Sequence, residues 1–75
     1  MKFDPTHISK LVGWESGPVA MPTVDRVQAV KKAALAGDEQ SAALLLRWNR
    51  FGASPQNEEE VGALNAVIRA LGDVL

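Results

Sequence analysis

Cysteine is absent from this sequence, and His7 is the only histidine among its 75 residues. The lack of thiols excludes a disulfide framework, a cysteine-based zinc site and a thiolate nucleophile. The histidine has only Asp4 as a second metal ligand nearby in the sequence, and a zinc site or a histidine relay needs more partners. We therefore expect a protein that is not an enzyme and that holds no cofactor or metal.

Long apolar runs and an excess of basic charge are also missing. No segment approaches the roughly 20 apolar residues that a membrane span requires, and the opening residues, MKFDPTHISK, lack the apolar centre of a signal peptide. The formal net charge is −1, so the chain lacks the basic field that most nucleic-acid-binding proteins carry. We expect a cytoplasmic protein that does not enter membranes and that could bind nucleic acid only through a local patch.

Apolar residues make up 47% of the chain and charged residues 23%, proportions that are typical of a folded globular protein. Helix start and stop signals are frequent, whereas strand signals are nearly missing. A chain of this length is too short for two hydrophobic cores. The sequence therefore predicts one all-α domain over residues 1–75, a small compact helical bundle. We expect three principal helices in residues 23–75, preceded by a short helix and an extended arm in residues 1–22.

The first predicted helix is short. Asp4 and Pro5 are typical of an N-cap followed by a first helical position, and Gly13 predicts the end of the helix. Its expected apolar face comprises Ile8, Leu11 and Val12. The next segment, residues 14–22 (WESGPVAMP), contains one glycine and two prolines and therefore predicts an extended connection, the arm.

Two successive cap signals predict a helical hairpin in the centre of the chain. Thr23 is typical of the N-cap of a second helix, from Val24 to about Ala36. Gly37 ends that helix and Asp38 caps a third, from about Glu39 to Phe51, through a connection short enough to fold the two helices together. The third helix is apolar around more than half of its circumference, which predicts a central position. The expected apolar stripe of the second helix comprises Val24, Val27, Val30 and Ala34.

A short stretch across this hairpin, AALAGDEQSAALLL (residues 33–46), is similar to the helix-turn-helix unit of ankyrin-type repeats. In both, a turn of glycine and polar residues joins an alanine-rich helix to a leucine-rich one. The likeness covers 14 of the 75 residues and no second copy follows, whereas repeat architectures need several stacked units. It implies how one such hairpin packs and assigns no family.

The fourth predicted helix carries the strongest periodic signal. Ser54 and Pro55 repeat the cap-and-proline signature and predict a helix from about Pro55 to Leu75. Apolar residues follow at alternating spacings of three and four, and we expect this face to pack on the hairpin, broadened by Val67 and Val74. The face comprises Val61, Leu64, Ile68, Leu71 and Leu75. Small residues cover the flanks and predict a second contact face, toward another copy or another protein: Gly62, Ala63, Ala66, Ala70 and Gly72.

The principal functional hypothesis is a non-catalytic protein-binding module: a small adaptor, inhibitor or assembly component whose partner is another protein or a second copy of the chain. Trp14, Val19 and Met21 lie on the arm, where no regular helix hides them, and tryptophan and methionine are enriched at the centres of interfaces. The alternative for the arm is that it folds back over the hairpin. Arg47 and Arg50 in LLLRWNRFG, one turn apart, are the predicted polar contacts.

The alternative function is a small helical DNA-binding regulator. Residues 23–51 hold five basic and three acidic side chains, whereas residues 52–75 hold one basic and four acidic. A local patch of this kind could neutralise a few phosphates, although salt would weaken each contact. The candidate nucleic-acid-binding residues are Arg26, Lys31, Lys32, Arg47, Asn49 and Arg50.

Overall fold

The computed structural model describes residues 3–12 and 19–75, and within them the chain forms four helices. Their bounds are α1, Pro5–Val12; α2, Val24–Leu35; α3, Glu39–Phe51; and α4, Glu58–Val74. The described residues contain no strand, only one isolated parallel bridge between Val19 and Gly52. The predicted all-α class is confirmed. The predicted helix end at Gly13 and the arm residue Trp14 lie outside the described residues.

α1 begins where the sequence predicts. The Asp4 carboxylate accepts a hydrogen bond from the Thr6 N–H at 3.1 Å and so caps the first turn. Ile8 is fully buried, and Phe3 packs against the same core. The Phe3 N–H donates to the Val74 carbonyl at 2.9 Å, which fastens the segment before α1 to the end of α4.

The caps predicted for the hairpin also form. The Thr23 hydroxyl accepts a hydrogen bond from the Arg26 N–H at 3.2 Å, and the Asp38 carboxylate accepts one from the Gln40 N–H at 3.3 Å. Gly37 between the two helices has φ +111°, a backbone conformation that L-residues with a side chain rarely adopt. The hairpin therefore turns at the glycine that the sequence indicates.

α4 begins at Glu58, so the start predicted from Ser54 and Pro55 is wrong. The N-cap is Asn57, whose side-chain oxygen accepts a hydrogen bond from the Glu60 N–H at 2.9 Å. The Glu60 carboxylate accepts one in return from the Gln56 N–H at 3.4 Å. An asparagine followed three residues later by a glutamate is itself a helix start signal. These two hydrogen bonds stabilise a helix start at Glu58 more than the single cap that Ser54 could supply would stabilise a start at Pro55.

α3 is the central helix, as its apolar circumference predicts, because it packs against each of the other three. α2, α3 and α4 pack pairwise into a three-helix bundle, whereas α1 contacts only α3 among the described helices. Val24 lies beside Gly62, and Lys31 Nζ lies 2.8 Å from Asp73 Oδ2, so α2 and α4 run in the same direction. The Cα radius of gyration is 11.5 Å, close to the roughly 11 Å expected of a compact chain of this length.

The core is apolar, and no polar or charged side chain is buried among the described residues. Two residues that the sequence places on apolar faces lie at the rim instead. Leu11 is 37% exposed because α1 packs on one helix only and its buried face is narrow. Val24 is 38% exposed because it occupies the first position of α2. The predicted stripe of α2 is otherwise buried, through Val27, Val30 and Ala34.

Gly37 and Gly72 provide a matched test of this backbone. Gly37→Ala forces a side chain into the positive-φ turn and should lower the free energy of unfolding by about 1–2 kcal/mol. Gly72→Ala introduces the same methyl group inside a helix, where no atom lies within 4 Å of it, and should raise that free energy by about 0.5–1 kcal/mol. Urea unfolding of both variants measures the two signs. A stabilising Gly37→Ala would contradict the turn.

Candidate functional site

The buried face of α4 is the one with small side chains. Ala63, Val67, Ala70 and Val74 are 0–1% exposed and point into the bundle. They repeat at spacings of four, three and four, which is a helical stripe as regular as the bulkier one beside it. α4 therefore packs against α2 and α3 through alanine and valine, which take up less volume than leucine or isoleucine.

The bulkier stripe faces outward in part, and the prediction that it packs on the hairpin is wrong for its outer members. Ile68 is 52% exposed and Val61 is 45% exposed, while Leu64 between them is half-buried. Leu71 and Leu75 are half-buried and pack against the edge of the core. We call this stripe the α4 ridge: Val61, Leu64, Ile68, Leu71 and Leu75.

The reason lies in the volume available beside α3. Leu45 and Trp48 are bulky α3 side chains within the buried core and are 0% and 5% exposed. Close packing of large side chains on one helix leaves room only for small ones on the helix that faces it. A comparison of hydrophobicity alone selects the leucine and isoleucine stripe and misses this complementarity. The signal that could have identified the buried face is the equal spacing of its alanines and valines.

The alanines of α4 serve contacts within the chain, so the predicted role at an interface with another molecule is wrong for Ala63, Ala66 and Ala70. Ala63 and Ala70 are buried, and Ala66 packs against the core. A Cβ at Gly62 would lie 3.9 Å from Val24 Cγ2, which places this glycine against the start of α2. Gly72 faces open space.

Charges border the ridge at one end only. Glu58, Glu59 and Glu60 form the first turn of α4, where carboxylates interact favourably with the helix dipole. Helical spacing places Glu58 and Glu60 on the two sides of the row that Val61 begins. Neither takes part in an ion pair within the described part of the chain. Farther along, the side of the ridge that Glu58 begins is continued by uncharged residues, Asn65 and Gly72.

Two of the predicted arm anchors are engaged within the fold. The Val19 N–H donates to the Phe51 carbonyl at 2.8 Å, and the Ala53 N–H donates to the Val19 carbonyl at 3.0 Å. Val19 is half-buried and packs against the core. Met21 is half-buried, and its sulfur lies 3.2 Å from the position that a Cβ on Gly52 would take. The described end of the arm thus covers the end of α3, which leaves these two side chains little surface for a partner.

The predicted arginine contacts lie on the α1 side of α3. The Arg50 guanidinium donates a hydrogen bond to the Ser9 hydroxyl at 2.9 Å and so ties α3 to α1. Arg47 is half-buried and lines a shallow cavity together with Leu11 and Leu44. The Arg50 guanidinium therefore helps to hold α1 on α3, Arg47 lies beside α1 at the cavity, and the role of both arginines toward a partner stays a prediction.

The six residues proposed to bind nucleic acid are divided between different sides of the bundle. Lys31 is paired with Asp73 on α4, whereas Arg50 bonds to Ser9 on α1, and α1 does not contact α2. The paired carboxylate reduces the positive potential that Lys31 could offer a phosphate. The remaining candidates on the surface, Arg26, Lys32 and Asn49, are exposed.

His7 lies in α1 with its Nε2 atom 3.5 Å from Glu39 Oε2, and both side chains are about half exposed. No group of three or more histidine, aspartate or glutamate side chains in the described residues is arranged to hold a metal ion. Among the same residues, no helix has the combination of length and apolar composition needed to cross a bilayer.

Comparison of the chain with protein-family models, with curated proteins and with solved structures gives no match in any of the three.

Val67 and Ile68 are neighbours that test which face of α4 is buried. Val67→Ala removes two methyl groups from a fully buried position and should lower the free energy of unfolding by about 2 kcal/mol. Ile68→Ala removes more carbon from an exposed position and should change that free energy by less than about 0.5 kcal/mol. Thermal or urea unfolding gives both values. The reverse order would place the ridge in the core.

Proposed function

We propose that this chain is a non-catalytic protein-binding module, an adaptor, inhibitor or assembly component, that docks its partner on the α4 ridge. The observation that carries this proposal is the exposure of Ile68 and Val61, 52% and 45%, on a helix whose neighbouring face already closes the core. Burial of apolar surface is favourable by roughly 25 cal/mol per Å². Folding of the chain leaves that free energy unused at the ridge, so it is available for association.

The ridge differs from a scatter of exposed apolar side chains, which is ordinary on protein surfaces. Its members follow one another along a single helix, and the half-buried Leu71 and Leu75 at one end pack against the edge of the core. A contiguous apolar surface rimmed by polar residues is typical of a site where another protein binds. Exposed Leu35, by contrast, stands at the end of α2 among polar neighbours, Gln28, Lys31 and Lys32.

The ridge supports this function better than the arm or the arginines do. Val19 and Met21 pack on the end of α3, and Arg50 holds Ser9 of α1. Changes at these three residues would therefore disturb the fold together with any binding. No observation in the described residues favours the DNA-binding alternative. The same capture experiment tests it.

Capture from nuclease-treated lysate of the source cells tests the function, with the wild-type chain and two matched variants as bait. Ile68→Asn replaces an exposed apolar residue on the ridge, and Leu35→Asn makes a comparable change on α2, where Leu35 is 42% exposed. A residue at the centre of an interface contributes about 2 kcal/mol or more. Ile68→Asn should therefore lower the affinity for the captured protein on the order of ten-fold or more, whereas Leu35→Asn should leave it unchanged.

The dissociation constant of each purified pair, measured by calorimetry, and the melting temperature of each variant complete the test. Equal binding by wild type and Ile68→Asn would contradict a role for the ridge. A parallel capture without nuclease tests the alternative function. Nucleic acid that is retained there and removed by nuclease, together with loss of that retention on charge reversal of Arg26 and Lys32, would instead support the DNA-binding regulator.

A further inference from the structure

We propose that the occupant of the α4 ridge is an amphipathic helix of a different protein, with lysine or arginine beside its apolar face. This inference rests on the proposed function of the ridge and adds the chemical class of the partner. Two features of the described residues carry it: the spacing of the ridge and the sign of the charges that border it.

The spacing fits a helix. Val61, Leu64, Ile68, Leu71 and Leu75 alternate at three and four residues, the pattern with which two helices pack side by side. From Val61 to Leu75 the ridge extends about 21 Å at 1.5 Å per residue. A partner helix of about four turns covers that length. The ridge is convex and lies on a single helix, so it suits a helix laid along it.

The bordering charges are acidic. When two helices pack through such a seam, the residues directly beside it face the partner and decide partner choice by their charge. Beside this seam those residues are Glu58, Asn65 and Gly72 on one side and Glu60 on the other, where the row continues into the buried Val67 and Val74. Arg69 and Asp73 lie beyond these, away from the seam. Among the described residues of α4, two carboxylates and no cation border the seam, and they select a partner helix that is basic at the matching end.

A second copy of the chain fits this requirement poorly. In a parallel pair, Glu58 and Glu60 would face the same two glutamates of the other copy. In an antiparallel pair they would face the end of the other α4, where the helix dipole is negative and the last turn holds no basic residue. In neither orientation does the described seam of the other α4 supply a cation to the carboxylates, so charge complementarity favours a different, basic helix.

Two synthetic peptides probe the occupant directly. Both are three heptads long with the same leucine seam, and they differ only in carrying lysine or glutamate beside it. Fluorescence anisotropy at low salt should show the lysine peptide binding about five-fold or more tighter to the wild-type chain than the glutamate peptide. The ratio should fall toward one at high salt, because ions screen exposed charge pairs.

Glu58→Lys and Glu59→Lys are the matched variants. They change the net charge equally and lie in the same helical turn, but only Glu58 borders the seam. Glu58→Lys should abolish or reverse the preference for the lysine peptide, whereas Glu59→Lys should retain most of it. Ile68→Asn should weaken the binding of both peptides on the order of ten-fold or more.

The possible results distinguish a failure of this inference from a failure of the proposed function on which it rests. If the two peptides bind equally well and Ile68→Asn abolishes the binding of both, the ridge is a docking surface but the inference that its partner is basic is overturned. Equal effects of Glu58→Lys and Glu59→Lys, or failure of both peptides to bind, would also overturn it. Analytical ultracentrifugation provides a further test. If the wild-type chain forms a dimer that Ile68→Asn dissociates, the occupant of the ridge is a second copy and the inference is overturned. Capture of a partner that Ile68→Asn does not affect would overturn the function itself.

Discussion

The close approach of α4 to the α2–α3 hairpin is the constraint on which the rest of the structure depends. Ala63 and Ala70 of α4 are small and buried, and they share the close-packed core with the bulky Leu45 and Trp48 of α3. This contact fixes the rotation of α4 about its own axis. Once that rotation is fixed, Val61 and Ile68 necessarily lie on the outer surface.

The same rotation connects the core to the proposed function. A small domain buries only part of its apolar surface, and here the two most exposed large apolar side chains of the described residues, Ile68 and Val61, lie on the same helix. α1 and the described end of the arm cover other parts of α3, through the bond from Arg50 to Ser9 and the bridge between Val19 and Gly52. The α4 ridge has no such cover within the described residues, which is why binding is assigned there.

Much of the fold follows from local signals in the sequence. Thr23, Gly37 and Asp38 mark the hairpin because each satisfies or redirects the backbone at a helix end, and such effects depend on near neighbours alone. The start of α4 was misplaced because Ser54 and Asn57 both carry a cap signal, and only Asn57 is matched by Glu60. The outward face of α4 could not be predicted from its hydrophobicity. Two stripes of equal spacing compete there, and the volume of α3 side chains distant in sequence decides between them.

The most direct measurement uses the only two isoleucines of the chain, Ile8 and Ile68. Ile8 is fully buried and Ile68 is 52% exposed, so selective labelling of isoleucine methyl groups yields one buried and one exposed signal by NMR. With a soluble paramagnetic agent, the Ile68 signal should broaden strongly and the Ile8 signal should remain sharp, at all protein concentrations. Equal protection of both methyl groups in the monomeric chain would place the ridge inside the core and contradict the account.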